Sequence, residues 1–115
     1  MRKDDEKYVI KAIRDYKFSK RIIDLYASGE KFVKEFFTKE QLSKYYLTIE
    51  CIDLLIDSLD QNSKEFILNQ YLYNVGSNWW IYLYSKSTYY RHRENAIKSF
   101  VNYLNNQYNY SNYLN

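Results

Sequence analysis

Apolar residues in this 115-residue chain recur at the spacing of helices, not at the alternation of strands. Val9, Ile13, Tyr16, Ile23 and Ala27 follow at steps of three, four and seven. That pattern predicts a first helix opening near Asp4 or Asp5, acidic residues suited to a positive helix end. Gly29 is placed to terminate it as the left-handed residue beyond the C-cap. Lys20 interrupts the stripe, so two shorter helices are the alternative. Phe32, Val33, Phe36 and Phe37 then predict one or two further helical turns.

The most regular pattern lies next along the chain. Leu42, Tyr45, Ile49, Ile52, Ile56 and Leu59 are spaced 3-4-3-4-3, an a/d seam of about two and a half heptads. Thr38 and Gln41 form a capping box ahead of it. Such a seam must pack on something, either the first helix of the same chain or a second copy. The intrachain pairing is the simpler expectation, because short seams usually serve a local core. A third helix is expected to open at Asn62, with Glu65 completing its cap and Phe66, Ile67 and Tyr71 turned inward. The run Asn74, Val75, Gly76, Ser77, Asn78 reads as a turn. Residues 79–83 read as a short aromatic helix, and Ser85 as the cap of a last helix over 85–104. Residues 105–115 form an Asn/Tyr-rich tail of low complexity.

Composition sharpens this picture. Proline is absent and glycine occurs twice, which disfavours sandwiches, barrels and Gly-rich phosphate loops and favours long helices. The net charge is only +3, but it is unevenly placed. Residues 1–60 hold 12 basic and 12 acidic side chains, whereas residues 61–115 hold 5 basic against 2 acidic. Lys86, Arg91, Arg93 and Lys98 crowd the last helix, opposed only by Glu94. A basic stripe on one helix is the electrostatic footprint of a nucleic-acid contact. The single cysteine, Cys51, excludes a disulfide framework and fits a reducing cytoplasm. No run reaches transmembrane length and the charged start lacks a signal-peptide core, so no membrane partner is expected.

On a helical wheel, Tyr89, Ala96, Phe100 and Tyr103 share one face of the last helix, flanked by His92 and Ile97. The opposite face gathers Ser87, Arg91, Glu94 and Lys98, with Tyr90 at its edge. Polar and basic residues in the first two turns are what a recognition helix presents to base edges in the major groove. Arginine suits a bidentate contact to guanine, and hydroxyls suit bases or phosphates. Lys86, Ser87, Thr88, Tyr90 and Arg91 are therefore the expected DNA-contacting residues. Arg93 lies nearer the buried edge, where it reaches a phosphate or caps the core. Lys98 sits too far along for bases and would serve the phosphate backbone.

The residues carrying a family resemblance are Leu59, Asp60, Gln61, then Glu65, Phe66, Ile67 and Tyr71. The run Tyr84, Ser85, Lys86, Ser87, Thr88, Tyr89, Tyr90, Arg91 and the pair Ala96, Ile97 complete it. Together they span residues 59–97. This stretch resembles region 4 of sigma-70-type factors, and more closely the phage-derived ArpU-type transcriptional regulators and a related mollicute helix-turn-helix family. It departs from their pattern in a short second helix at 79–83, in His92 at a usually aliphatic site, and in Gln70 at a usually basic one. The resemblance implies a DNA-binding regulator, working beside RNA polymerase.

The sequence thus leads to an all-α fold, a small helical bundle with a C-terminal helix-turn-helix. Residues 1–59 are read as a helical scaffold or dimerisation segment, 60–104 as the DNA-binding segment and 105–115 as the tail. The expected function is sequence-specific binding of double-stranded DNA in transcription regulation, without enzymatic activity or cofactor. RNA polymerase and a second copy of the chain are further candidate partners. Two rivals are a module docking on RNA polymerase or a regulator without touching DNA, and a phage small-terminase-like packaging protein. Other chemistry finds little support. His92 is the only histidine and has no metal-ligand spacing around it. Glu50, Asp53 and Asp57 share one face, simplest as a solvated stripe. Trp79 and Trp80 could stack on single-stranded bases, but adjacent tryptophans more simply anchor a core.

Overall fold

With no proline to interrupt them, the apolar stripes fold as long helices. The computed structural model describes residues 4–107 except residue 74, and among these are five α-helices and no strand. They are α1 (Asp5–Ala27), α2 (Lys31–Phe36), α3 (Lys39–Ser58), α4 (Gln61–Ile67) and α5 (Lys86–Gln107). Helix α4 runs on into a π-helical turn, Leu68–Leu72. Of the expected tail, residues 105–107 continue α5 and 108–115 lie outside the described residues, as does Asn74.

Helix α1 is continuous through Lys20, which stays at the surface with its ammonium 5.4 Å from the Tyr16 ring centroid. Its end is a Schellman motif. Gly29, at φ 82°, donates to the Tyr26 carbonyl, and Glu30 to that of Leu25. The buried stripe is Val9, Ala12, Ile13, Tyr16, Ser19 and Ile22. The sequence pattern pointed instead to Ile23 and Ala27. Ile23 is half-buried and Ala27 exposed, because the stripe drifts around the helix as 3.6 residues per turn requires.

Thr38 and Gln41 exchange both bonds of the capping box at 2.8 and 3.1 Å. The a/d seam of α3 is spent within the chain, against α1. Leu42, Ile52, Ile56 and Leu59 are buried along it, joined by Leu55 and Cys51, while Tyr45 and Ile49 are half-buried. Burial raises the Cys51 thiol pKa, with the Glu50 charge adding to the effect, so the thiol is held in its unreactive form. Of the four apolar residues expected in α2, only Val33 is buried. It joins Ile22 and Leu42 in a small second cluster, and Phe32 and Phe36 stack on each other in solvent.

The opening of α4 differs from expectation. Its cap is Asp60, not Asn62: one Asp60 carboxylate oxygen accepts the Ser63 amide at 3.0 Å and the other accepts the Ser63 hydroxyl at 2.9 Å. Asp60 still has extended backbone, as a cap requires, whereas Asn62 is already helical. Glu65 instead accepts from the Gln61 amide one turn back. The main core draws on α1, α3, α4 and α5, from Val9 to Leu104, so both halves of the chain contribute to it.

The two bonds from Ser63 hold the Asp60 carboxyl below its usual pKa. A depressed folded-state pKa contributes stability that is fully present above about pH 4 and lost as pH falls through the folded value. We expect Asp60→Ala to lower unfolding free energy at neutral pH by about 1 kcal/mol. Asp60→Asn should keep most of the cap while flattening the acid limb. Urea denaturation between about pH 3 and 7 measures both.

Candidate functional site

The segment leading into α5 is shaped by its irregularity. In the π-helical turn the Tyr73 amide reaches the Leu68 carbonyl, five residues back, at 2.7 Å. Gly76 then adopts φ 102°, open only to glycine at low cost. Residues 79–83, expected as a helix, form hydrogen-bonded turns instead. The Ile81 amide reaches Asn78, while both the Leu83 and Tyr84 amides reach Trp80. The reason lies in the two tryptophans. Both rings pack on Tyr89, Trp80 stacked at 4.3 Å between centroids and Trp79 edge-on at 6.3 Å. Neighbouring residues on a helix point roughly 100° apart, so a regular helix would not favour turning both to one ring. The short helix expected at 79–83, ahead of α5, is thus not formed.

Gln70 anchors this segment. Its side-chain oxygen accepts the Trp79 indole N–H at 2.7 Å and the Tyr89 hydroxyl at 3.2 Å. Phe66 lies beneath, edge-on or tilted to Tyr71, Trp79 and Tyr89, and Tyr84 covers half-buried His92 at 4.9 Å. One oxygen and one aromatic cluster therefore fix where α5 begins.

Helix α5 is capped by Ser85, whose hydroxyl oxygen accepts the Thr88 amide at 3.2 Å. Tyr89, Ala96, Ile97, Phe100, Val101 and Leu104 are buried, and Tyr103 is half-buried. On the outside stand Lys86, Ser87, Tyr90, Arg91, Glu94 and Lys98. Thr88 is half-buried, its hydroxyl accepting from Ser85 at 2.9 Å. Tyr90 leans edge-on against Tyr89 with half its surface free. The side chains of Lys86, Arg91 and Lys98 make no hydrogen bond or ion pair among the described residues.

Arg93 has a different position. Its guanidinium donates to a Glu6 carboxylate oxygen at 2.6 Å, and the Tyr71 hydroxyl donates to the same oxygen at 2.8 Å. The two charged side chains are only 22% and 32% exposed. Burial raises the Tyr71 pKa and the bond to Glu6 raises it further, so the hydroxyl remains a donor. Burial pulls the Arg93 pKa down, but the Glu6 carboxylate outweighs it and the net shift is upward. This arginine joins the first helix to the last. Nothing in local periodicity could pair Glu6 with a residue so distant in sequence.

The carboxylates of α3 do not converge on a site. Asp53 accepts from the Tyr16 hydroxyl at 2.6 Å, and Asp57 pairs with Lys64 at 3.3 Å. Among the described residues no group of three or more His, Cys, Asp or Glu side chains is arranged to hold a metal. No helix among them is long and apolar enough to cross a membrane.

Helix polarity sets α5 apart. Every other helix carries an acid at its cap or in its first turn: Asp5 and Glu6 in α1, Glu30 before α2, Glu40 in α3 and Asp60 before α4. Helix α5 has a neutral serine cap, no first-turn acid and Lys86 as its first residue. Its positive end is left uncompensated, and two further unpaired cations, Arg91 and Lys98, share an exposed face further along the helix. No protein-family model, curated protein or solved structure matches the chain.

Replacing Gln70 with leucine would strand the Trp79 and Tyr89 donors. The expected loss is about 1–3 kcal/mol of unfolding free energy. Tryptophan emission should shift to the red as residues 77–83 loosen. Unchanged emission and stability would show that this oxygen does not hold the segment.

Proposed function

We propose that the protein is a sequence-specific double-stranded DNA-binding regulator of transcription, reading DNA with the first two turns of α5. The observation carrying this reading is the set of exposed, unpaired cations on that helix: Lys86 at the one helix N-terminus without an acid, and Arg91 and Lys98 together on one face further along. A helix N-terminus attracts phosphate through its free amides and dipole. Lys86 at the start and Lys98 about 18 Å along the axis suit two points on the sugar-phosphate backbone. Between them Ser87, Tyr90 and Arg91 are available to base edges. The resemblance of the 84–91 run to sigma region 4 and ArpU-type regulators supports the same reading. In it, residues 77–83 replace a second helix: their tryptophans press on Tyr89, behind the reading face.

Affinity on this mechanism comes mainly from phosphates and sequence preference from two or three side chains. Selection of bound duplexes from a random pool, with a salt series, tests it directly. The expectation is enrichment of a short motif and binding that weakens as salt rises. Binding indifferent to sequence and salt would overturn it.

Arg91→Ala should weaken binding to the selected site by about ten- to hundredfold and leave thermal stability unchanged. Arg93→Ala should instead lower the melting temperature, because it leaves the Glu6 carboxylate half-buried without its ion-pair partner. Parallel fluorescence anisotropy and calorimetry on the two variants separate the reading role from the structural one. Equal effects of both variants on both quantities would refute this division.

A further inference from the structure

Residues 1–60 balance 12 cations against 12 acids in number, but not in place. Three acids of the α1 region are taken up: Asp4 by Lys7, Asp15 by Lys11 and Glu6 by Arg93. Further along α1, Lys20 and Arg21 follow Lys17 by three and four positions, so the three share one exposed side. Like charges at that spacing slightly oppose the helix that carries them. Asp24 follows them closely but forms an ion pair with none of the three among the described residues. Nor do the side chains of Lys20 and Arg21 make any hydrogen bond there.

These four side chains border an open groove of about 560 Å³ between α1 and the end of the π-helical turn. Lys17 donates to the Tyr71 carbonyl at 3.0 Å and ties the two walls together. Leu25 and Leu72, both half-buried, give the groove an apolar lining. Two tyrosine rings complete it. The Tyr16 hydroxyl donates to Asp53 at 2.6 Å, and the Lys20 ammonium lies over its ring. Tyr73 is 59% exposed and makes no ring contact among the described residues, which leaves it as a stacking surface. A smaller hollow of about 250 Å³ shares Lys17 and adds Arg14. Sites for small organic ligands occupy roughly 300–1,000 Å³ and combine apolar walls with a few charged groups. With three cations against one acid along its lining, the field in this groove favours an anion.

We infer that this groove binds a nucleoside phosphate, with its phosphates among Lys17, Lys20 and Arg21 and its base on Tyr73. An inorganic anion would use the cations but leave the rings and leucines in water. An uncharged apolar ligand would gain nothing from the cations. A ligand with a charged end and a flat aromatic end uses both. A DNA duplex keeps its bases stacked inside, so it could offer the groove phosphates but no ring. The site shares no residue with the reading face of α5, and it does not depend on that reading.

Isothermal titration calorimetry of the full chain with ADP, adenosine and pyrophosphate, at about 150 mM NaCl, tests the proposal. ADP is expected to bind once per chain with a Kd below about 1 mM, and each of the two half-ligands at least about tenfold more weakly. Arg21→Ala and Tyr73→Ala should each weaken ADP binding about tenfold with an unchanged circular dichroism spectrum, since both side chains are exposed. Lys34→Ala, which removes an exposed cation from α2 instead, should leave ADP binding intact. No ADP binding up to about 1 mM, pyrophosphate bound as well as ADP, or equal losses at Arg21 and Lys34 would each overturn the proposal. So would ADP affinity unchanged by Tyr73→Ala. A single-stranded oligoadenylate bound at least about tenfold more tightly than ADP would overturn it too, and would assign the groove to a nucleic-acid strand.

Discussion

The described residues from 75 to 85 form no regular helix, so backbone hydrogen bonds alone do not place them. Their position depends on what their side chains reach, and the decisive acceptor is the Gln70 side-chain oxygen, shared by Trp79 and Tyr89. One donor comes from the turns and the other from α5, which makes Gln70 a joint between an irregular segment and a regular one. The widened π-helical turn is part of this arrangement. Gln70 and Tyr71 both lie within it, the first serving the tryptophan side and the second the Glu6–Arg93 pair. Single-turn π segments inside α-helices are frequently found at functional sites.

Electrostatics divides the surface of α5 along its length. Arg93, turned inward, is neutralised by the first helix, whereas Arg91 lies outside with no protein partner among the described residues. Two arginines separated by a single residue thus have different surroundings, and substitution at one says little about the other. Lys86 stands at a helix end that already carries partial positive charge, so it opposes the stability of the isolated protein by a small amount. Features that work against local stability in an otherwise consistent fold are the places to look for a ligand.

Features governed by near neighbours were legible in the sequence. Gly29 as terminator, the Thr38–Gln41 capping box, Ser85 as a cap and the 3-4-3-4-3 seam all depend on residues within a turn or two of each other. The cap of α4 was misplaced by two positions because Asp60 and Asn62 are both competent capping residues, and only tertiary placement chooses between them. The helix expected at 79–83 failed for a different reason. Its aromatic side chains satisfy a helical pattern, but two adjacent rings are drawn to one partner, a demand that periodicity does not express. Gln70 read as a departure from a family pattern and proved to be the acceptor around which the region is built. Which exposed residues of α5 face outward was readable from a wheel; that Arg93 is held by Glu6 was not, because the pair spans nearly the whole described chain.

That span has a kinetic consequence. The Glu6–Arg93 contact closes a loop of 87 residues, against 19 for the Gln70–Tyr89 contact. Loop-closure entropy rises with length, and distant contacts slow the barrier crossing that makes them. The aromatic unit of α4, the turns and the start of α5 is therefore expected to assemble before the first helix docks on it. The N-terminal turn of α1 then acts as a latch, closing last over a unit already in place.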